Sequence, residues 1–371
     1  MRQIAAAVAL VVMAAPAALG APADAKRRDK RIPAVRREMR AVADPGLWPE
    51  ARHTWTMAFV LLTYPETDTT TGAFSAKMRK VEQMRRRVGR EFRKATEGLG
   101  AMSPSAEVFV LQPERPIPCI RVRHGDGLYE FAQRVARMLY ERTDDVWDFI
   151  AIYEDYPEEH VNSRHLFARS QDVRTGMHYF DATDRYGSDG RLMSVGLIKD
   201  VNEMPATYDY VESGMQLLLH ETVGHHFGVY REELSPERVH FEAGIEGPTF
   251  TVLYGRPWVR VDDTHFTTAE VRDSETGHFL VTYHPWIMYL MGLKTRAEVP
   301  SRIMKVNPDT RPSHRYDLVT TTGSFEWISF EDLFPMRFVT EMRPRRNKVP
   351  WNRLLELVRP RPVPKYERLP R

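Results

Sequence analysis

The residues best suited to chemistry stand together at positions 217–228, Leu-Leu-Leu-His-Glu-Thr-Val-Gly-His-His-Phe-Gly. Three leucines lead into His220-Glu221, and His225-His226 follow a turn later. Neutral imidazole is a preferred ligand of zinc. Two histidines four apart on a helix share one face, and a glutamate beside the first can take a proton from water at the metal; this is the logic of the pattern His-Glu-x-x-His. Zinc lowers the pKa of that water, so a nucleophile exists near neutral pH. The chain departs from the pattern by one residue. Gly224 stands where the second histidine would fall, and His225 comes one place late. In a regular helix, five steps of ~100° leave two side chains about 140° apart. Two local structures repair this. A π-bulge absorbs one residue, eased by Gly224; alternatively the helix ends early and His225 or His226 approaches from a loop. His220 and His225, with His226 as the alternative to His225, are the candidate ligands of Zn2+, and Glu221 is the candidate general base.

A catalytic zinc keeps three protein ligands. Cys119 is the sole cysteine, which excludes both an intramolecular disulfide framework and a thiolate cluster. The third ligand must therefore be His, Asp or Glu from downstream. His240, in Val239-His240-Phe241-Glu242, leads; Glu242 and Glu246 are its rivals, and His226 is an alternative within the motif. Seven of the thirteen histidines lie between His220 and His284. An even spread would put about two there, so the cluster favours a site over a chance helix-terminal histidine. Tyr230, His226 and Tyr289 are near enough in sequence to stabilise an oxyanion. Met288 and Met291 read as core packing before any role under a metal.

These residues need a framework. The helix that carries them is predicted over 208–227, opened by Pro205 and Thr207 and stopped at Gly228. Upstream, the apolar run 55–64 reads as a buried strand. Residues 75–99 read as a helix, with Phe74, Met78, Val81, Val88 and Phe92 on one face and a solvated stripe of Arg79, Arg86, Arg90 and Arg93 on the other. Short strands are predicted at 107–112 and 119–123, then a helix over 125–143 with Leu128, Phe131, Val135, Met138 and Leu139 facing inward. Further strands are predicted at 147–153, 164–169, 177–180 and 192–199, while 181–190, with its three aspartates, reads as a plain turn and not a calcium loop. The order argues for an α/β (α+β) class, a mixed sheet with packed helices over 50–228 ending in the active-site helix. Prolines at 236, 248, 257, 285, 300, 308 and 312 predict a loop-rich C-terminal part over 229–371, broken by one apolar segment at 285–293.

Fifty-three basic and fifty acidic residues nearly cancel, which gives no global case for a nucleic-acid partner. Residues 1–20 have the form of an export signal: Arg2, an apolar run and small residues, with cleavage after Gly20 or as late as Ala25. Residues 21–49 then form a basic leader, and the mature chain carries no transmembrane span. The expected location is periplasmic or secreted.

Two places together resemble a group of exported bacterial proteins of the zincin type. In that group a His-Glu-x-x-His helix precedes a His-aromatic pair and a phrase like Leu-Tyr-Leu-Met-Gly-Leu, with Glu-Val-Pro a few residues on. The matching positions here are His220, Glu221, Gly224 and His225, then His240-Phe241, then Tyr289-Leu290-Met291-Gly292-Leu293 with Glu298-Val299-Pro300. The resemblance covers roughly 147–335 and departs from the pattern by the residue inserted before His225. It implies a zincin-like fold, His220, His225 and His240 as metal ligands and Glu221 as general base. The expected function is an exported, zinc-dependent metallopeptidase with a peptide or protein substrate. A rival reading is a non-catalytic zincin relative that binds a partner or envelope polymer through the same cleft; a third is a structural protein whose histidines cluster incidentally. The oligomeric state is not written in these residues.

Overall fold

The structure, a computed structural model, describes residues 50–115, 117, 126–155, 163–170, 180–202, 204, 214–229, 244–273, 276–310 and 317–333. Strand β1 (His53–Leu62) is buried without a break from Met57 to Leu62. Such a run belongs to a strand covered on both faces. Alternation sends Met57, Phe59 and Leu61 into one core and Ala58, Val60 and Leu62 into another. Helix α1 (Gly72–Ala95) covers the first core with Phe74, Val81, Val88 and Phe92. Its first turn is capped by Thr71, whose hydroxyl accepts from the Phe74 amide at 3.1 Å. Strand β2 (Gly100–Leu111) follows directly, and helix α2 (Asp126–Tyr140) covers the second core with Phe131, Val135 and Leu139.

Strands β3 (Phe149–Glu154), β4 (Arg164–Phe167) and β5 (Ser194–Asp200) complete a five-stranded sheet ordered β2-β1-β3-β5-β4. All neighbours run parallel except β4, which is antiparallel to β5 and forms one edge. Helix α3 (Gly214–Leu218) runs into a π turn at Leu219–Gly224. Leu218, Leu219 and Val223 join the α1 face of the sheet. The catalytic candidates thus sit on a short, buried element packed chiefly against β5, next to the edge strand β4.

The α/β expectation holds at the level of a mixed sheet with packed helices; several boundaries differ. α1 stops at Ala95 rather than 99, because Glu97 and Gly98 take positive φ of 54° and 79°. β2 starts at Gly100, well before the expected 107. Ser103, Pro104 and Ser105 break its apolar pattern, and Pro104 is tolerated because β2 is an edge strand. The segment 181–190 is a turn, as expected, with a short 3-10 helix at Thr183–Tyr186; the Thr183 amide donates to Asp181 Oδ1 at 3.1 Å. The expected strand at 119–123, most of 177–180 and the start of the helix predicted over 208–227 lie outside the described residues.

The described residues of the C-terminal part alternate loops with short elements. It holds β6 (Phe250–Thr251), β7 (Trp258–Arg260), β8 (His265–Thr268), β9 (Val281–Thr282), α4 (Pro285–Leu290), β10 (Arg302–Pro308), β11 (Thr320–Ser329) and α5 (Phe330–Leu333). β10-β11-β8-β7 form one sheet and β6-β9 a second. Most of these strands are too short for alternation to register. α4 and its flanks share the core of the first sheet: Tyr283, Trp286, Ile287, Met288 and Tyr289 cluster with Phe59, Leu219 and Val223. No helix among the described residues is long and apolar enough to cross a membrane.

Candidate metal centre

The amide of His225 reaches back five residues to the carbonyl of His220 at 3.0 Å, the hydrogen bond of a π turn. Of the two repairs open to the sequence, the bulge is the one adopted. The inserted residue is absorbed, and the two imidazoles meet with Nε2 atoms 2.9 Å apart and ring centroids at 4.5 Å. Gly224 suits the turn sterically: a Cβ there would lie 3.1 Å from Leu253 Cδ2 and 3.3 Å from the Leu219 carbonyl oxygen.

Electrostatics fix the sense of the pair. His220 Nδ1 lies 2.6 Å from the carbonyl oxygen of Val252. A carbonyl only accepts, so Nδ1 carries the hydrogen and Nε2 presents its lone pair. That is the tautomer of a metal-ligating histidine held by a backbone carbonyl. His225 Nε2 faces this lone pair, and His225 Nδ1 lies 3.6 Å from Glu221 Oε2. His220, Glu221 and His225 are 2%, 8% and 8% exposed, which places two imidazoles and a carboxylate largely out of water. Two nitrogens on one tetrahedral zinc stand about 3.3 Å apart with bonds of ~2.0–2.1 Å. The observed 2.9 Å falls short by a few tenths of an ångström, which a small rotation of either ring supplies. The pair therefore fits the donor chemistry of a zinc site.

The other candidates are placed as follows. His240 and Glu242 lie outside the described residues, as does Tyr230. Glu246 is tied to β10: its Oε2 accepts from the Met304 amide at 3.0 Å, and its carbonyl accepts from His284 Nε2 at 3.0 Å. Among the described residues no three metal-ligating side chains converge, so Glu246 and His226 do not join His220 and His225 there. His226 points into the sheet side, fully buried against Phe149, Phe167 and Phe227. Burial holds its pKa well below the usual histidine value. Met288 and Met291 are core residues, and Tyr289 packs on Phe330 with ring centroids 5.0 Å apart.

Sequence reasoning missed four contributors. His165, on β4, points Nδ1 at the carbonyl of Glu221 at 2.5 Å, and its ring lies 5.5 Å from that of His225. Burial lowers its pKa to about 3, so it stays neutral. Tyr283 donates its hydroxyl to the Leu219 carbonyl at 3.0 Å, and Ser194 donates to the Thr222 carbonyl at 2.8 Å. Tyr254 holds a left-handed φ of 80° with its ring 5.0 Å from that of His220. It sits in the tight turn 251–255 that also presents the Val252 carbonyl. A non-glycine residue in that conformation stores about 1–2 kcal/mol. None of the four has a local sequence signal, since each acts across the fold. No protein-family model matches this chain, and no curated protein matches it.

Proposed function

We propose that the protein is an exported zinc-dependent hydrolase of the zincin type, a metallopeptidase. The observation that carries the reading is the approach of His220 and His225 to 2.9 Å across the π turn, with the His220 tautomer set by Val252 and the Glu221 carboxylate alongside. His220 and His225 would hold the metal, with His240 as third ligand. Bound zinc supplies the Lewis acidity that makes water nucleophilic near neutral pH. Glu221 accepts the proton of the attacking water and returns it to the leaving amine. β4 supports a peptide substrate. It is an edge strand that pairs with β5 alone among the described strands, and its His165 touches both the Glu221 carbonyl and His225. An extended chain added to such an edge would lie beside the candidate site. Export to the periplasm or beyond rests on the signal-like residues 1–20.

A second reading has one observation in its favour. The Glu221 carboxylate lies near His225 Nδ1, at 3.6 Å, where it orients a ligand instead of serving water. That arrangement suits a non-catalytic zincin relative that binds a partner or envelope polymer. One experiment separates the two. The Glu221→Gln protein is purified, its zinc is counted, and cleavage of a denatured protein substrate is followed. The metallopeptidase reading expects zinc retained and cleavage lost. Wild-type protein that binds zinc and cleaves nothing across a broad peptide library would support the second reading.

A further inference from the structure

We infer that Tyr283, Ser194 and His165 form a three-point brace that selects the π turn over a regular helix and so positions the histidine pair. The inference rests on the metal-centre reading above. An α-helix satisfies its carbonyls with amides four residues on; a π turn reaches five, and backbone groups around the insertion need other partners. Here the Leu219, Glu221 and Thr222 carbonyls each accept a side-chain donor from another element. The donors are Tyr283 Oη at 3.0 Å, His165 Nδ1 at 2.5 Å and Ser194 Oγ at 2.8 Å.

The donors come from three places in the chain: Tyr283 follows β9, while His165 on edge strand β4 and Ser194 at the start of β5 stand on neighbouring strands of the first sheet. Tyr283 and Ser194 are fully buried. Straightening the turn would rotate the three carbonyls and leave these donors without acceptors in a dry interior, where an unmade hydrogen bond is costly. Each bond thus favours the π geometry over the α geometry, which is the differential interaction a conformational preference requires. The peptide planes held this way include the one entering His220 and the one leaving Glu221. The brace therefore fixes where the His220 and Glu221 side chains start, while Val252 fixes how the His220 ring turns. All three are positioning residues that act through the backbone of the motif.

The test uses the full chain, metal-free, with Zn2+ as the titrant against a chromophoric chelator and Co2+ as a spectroscopic reporter. Tyr283→Phe and Ser194→Ala each remove one hydroxyl. His165→Leu removes the ring donor, and His165→Asn restores an N–H near the same place. The brace predicts one metal per wild-type chain, affinity about 10-fold weaker in Tyr283→Phe and Ser194→Ala, an altered Co2+ absorption envelope, and recovery of most of the His165→Leu loss in His165→Asn. Circular dichroism identifies any variant that fails to fold, and the remaining two positions then decide. Variants that melt earlier but bind Zn2+ with wild-type affinity and an unchanged Co2+ spectrum overturn the brace and leave the metal centre standing. A wild-type chain that takes up no metal removes both.

Discussion

Replacing Gly196 with alanine should push the histidine-bearing turn off the sheet, and its cost can be worked from the contacts. A Cβ at Gly196 would stand 2.3 Å from Thr222 Oγ1, 3.1 Å from Thr222 Cβ and 3.1 Å from Ile198 Cδ1. The first distance is far inside contact, and neither side can yield easily: Thr222 is fully buried, and its carbonyl is bonded to Ser194 two residues along the same strand. Overpacking of this kind costs about 2–3 kcal/mol. Thr222→Ala alone should be nearly neutral. Its Oγ1 is buried and finds no hydrogen-bond partner among the described residues. Losing the methyl costs about 1 kcal/mol, and relief of an unsatisfied hydroxyl offsets it by about 1 kcal/mol or more. In the Thr222→Ala background the 2.3 Å clash is gone and only the contacts at 3.1 Å remain. Alanine at 196 should then cost about 1 kcal/mol, a coupling of about 1–2 kcal/mol between the two sites. Urea unfolding of all four proteins measures this cycle, provided m stays constant. A Gly196→Ala protein within about 0.5 kcal/mol of wild type, or a double mutant equal to the sum of the singles, would refute the claim that close approach at Gly196 registers the turn.

Two further outcomes follow from the packing around the site. Lys94 and Asp273 form a fully buried ion pair at 2.5 Å that joins α1 to the C-terminal part. Lys94→Met should cost about 3–5 kcal/mol in urea unfolding by removing the cation that Asp273 shares with the buried Glu91, whose Oε2 lies 3.8 Å from Lys94 Nζ; Lys94→Met with Asp273→Leu should recover part of it, and equal losses in both would count against the pairing. His284 accepts from the Trp286 amide at 3.1 Å and donates to the Glu246 carbonyl at 3.0 Å, so the folded state holds it neutral. Burial lowers its pKa from 6.5 to about 3. An unfolded histidine takes up its proton below about pH 6.5, so the stability from this ring is complete above that pH and is lost as pH falls towards 3. The slope is about 1.4 kcal/mol per pH unit. His284→Asn should flatten the fall in the urea midpoint between pH 6.5 and 4; an unchanged slope would exclude His284 as its source.

Much of the framework was legible because burial on both faces leaves an unbroken apolar run, as in β1 and β3, and because α1 and α2 carry clean apolar stripes. The start of β2 was hidden by Ser103, Pro104 and Ser105, and the strands of the C-terminal part by their shortness. The motif itself announced His220, Glu221 and His225. Spacing alone could not choose between a bulge, which returns His225 to the site, and an early helix end, which could deliver His225 or His226. The groups that hold the bulge lie 28, 56 and 64 residues from their acceptors, at Ser194, His165 and Tyr283, and no local pattern links them. His240 and Glu242 fall outside the described residues, so the choice of third ligand passes to experiment.

The central claim is that the π turn brings two histidines to one metal. The direct measurement is zinc stoichiometry with X-ray absorption at the zinc edge, on the wild-type chain and on His220→Ala and His225→Ala. The account predicts one zinc per wild-type chain, with at least two imidazole nitrogens at about 2.0 Å, and loss of that zinc in both variants. Zinc held equally well by His220→Ala and His225→Ala, or a wild-type spectrum without imidazole scattering, would contradict it.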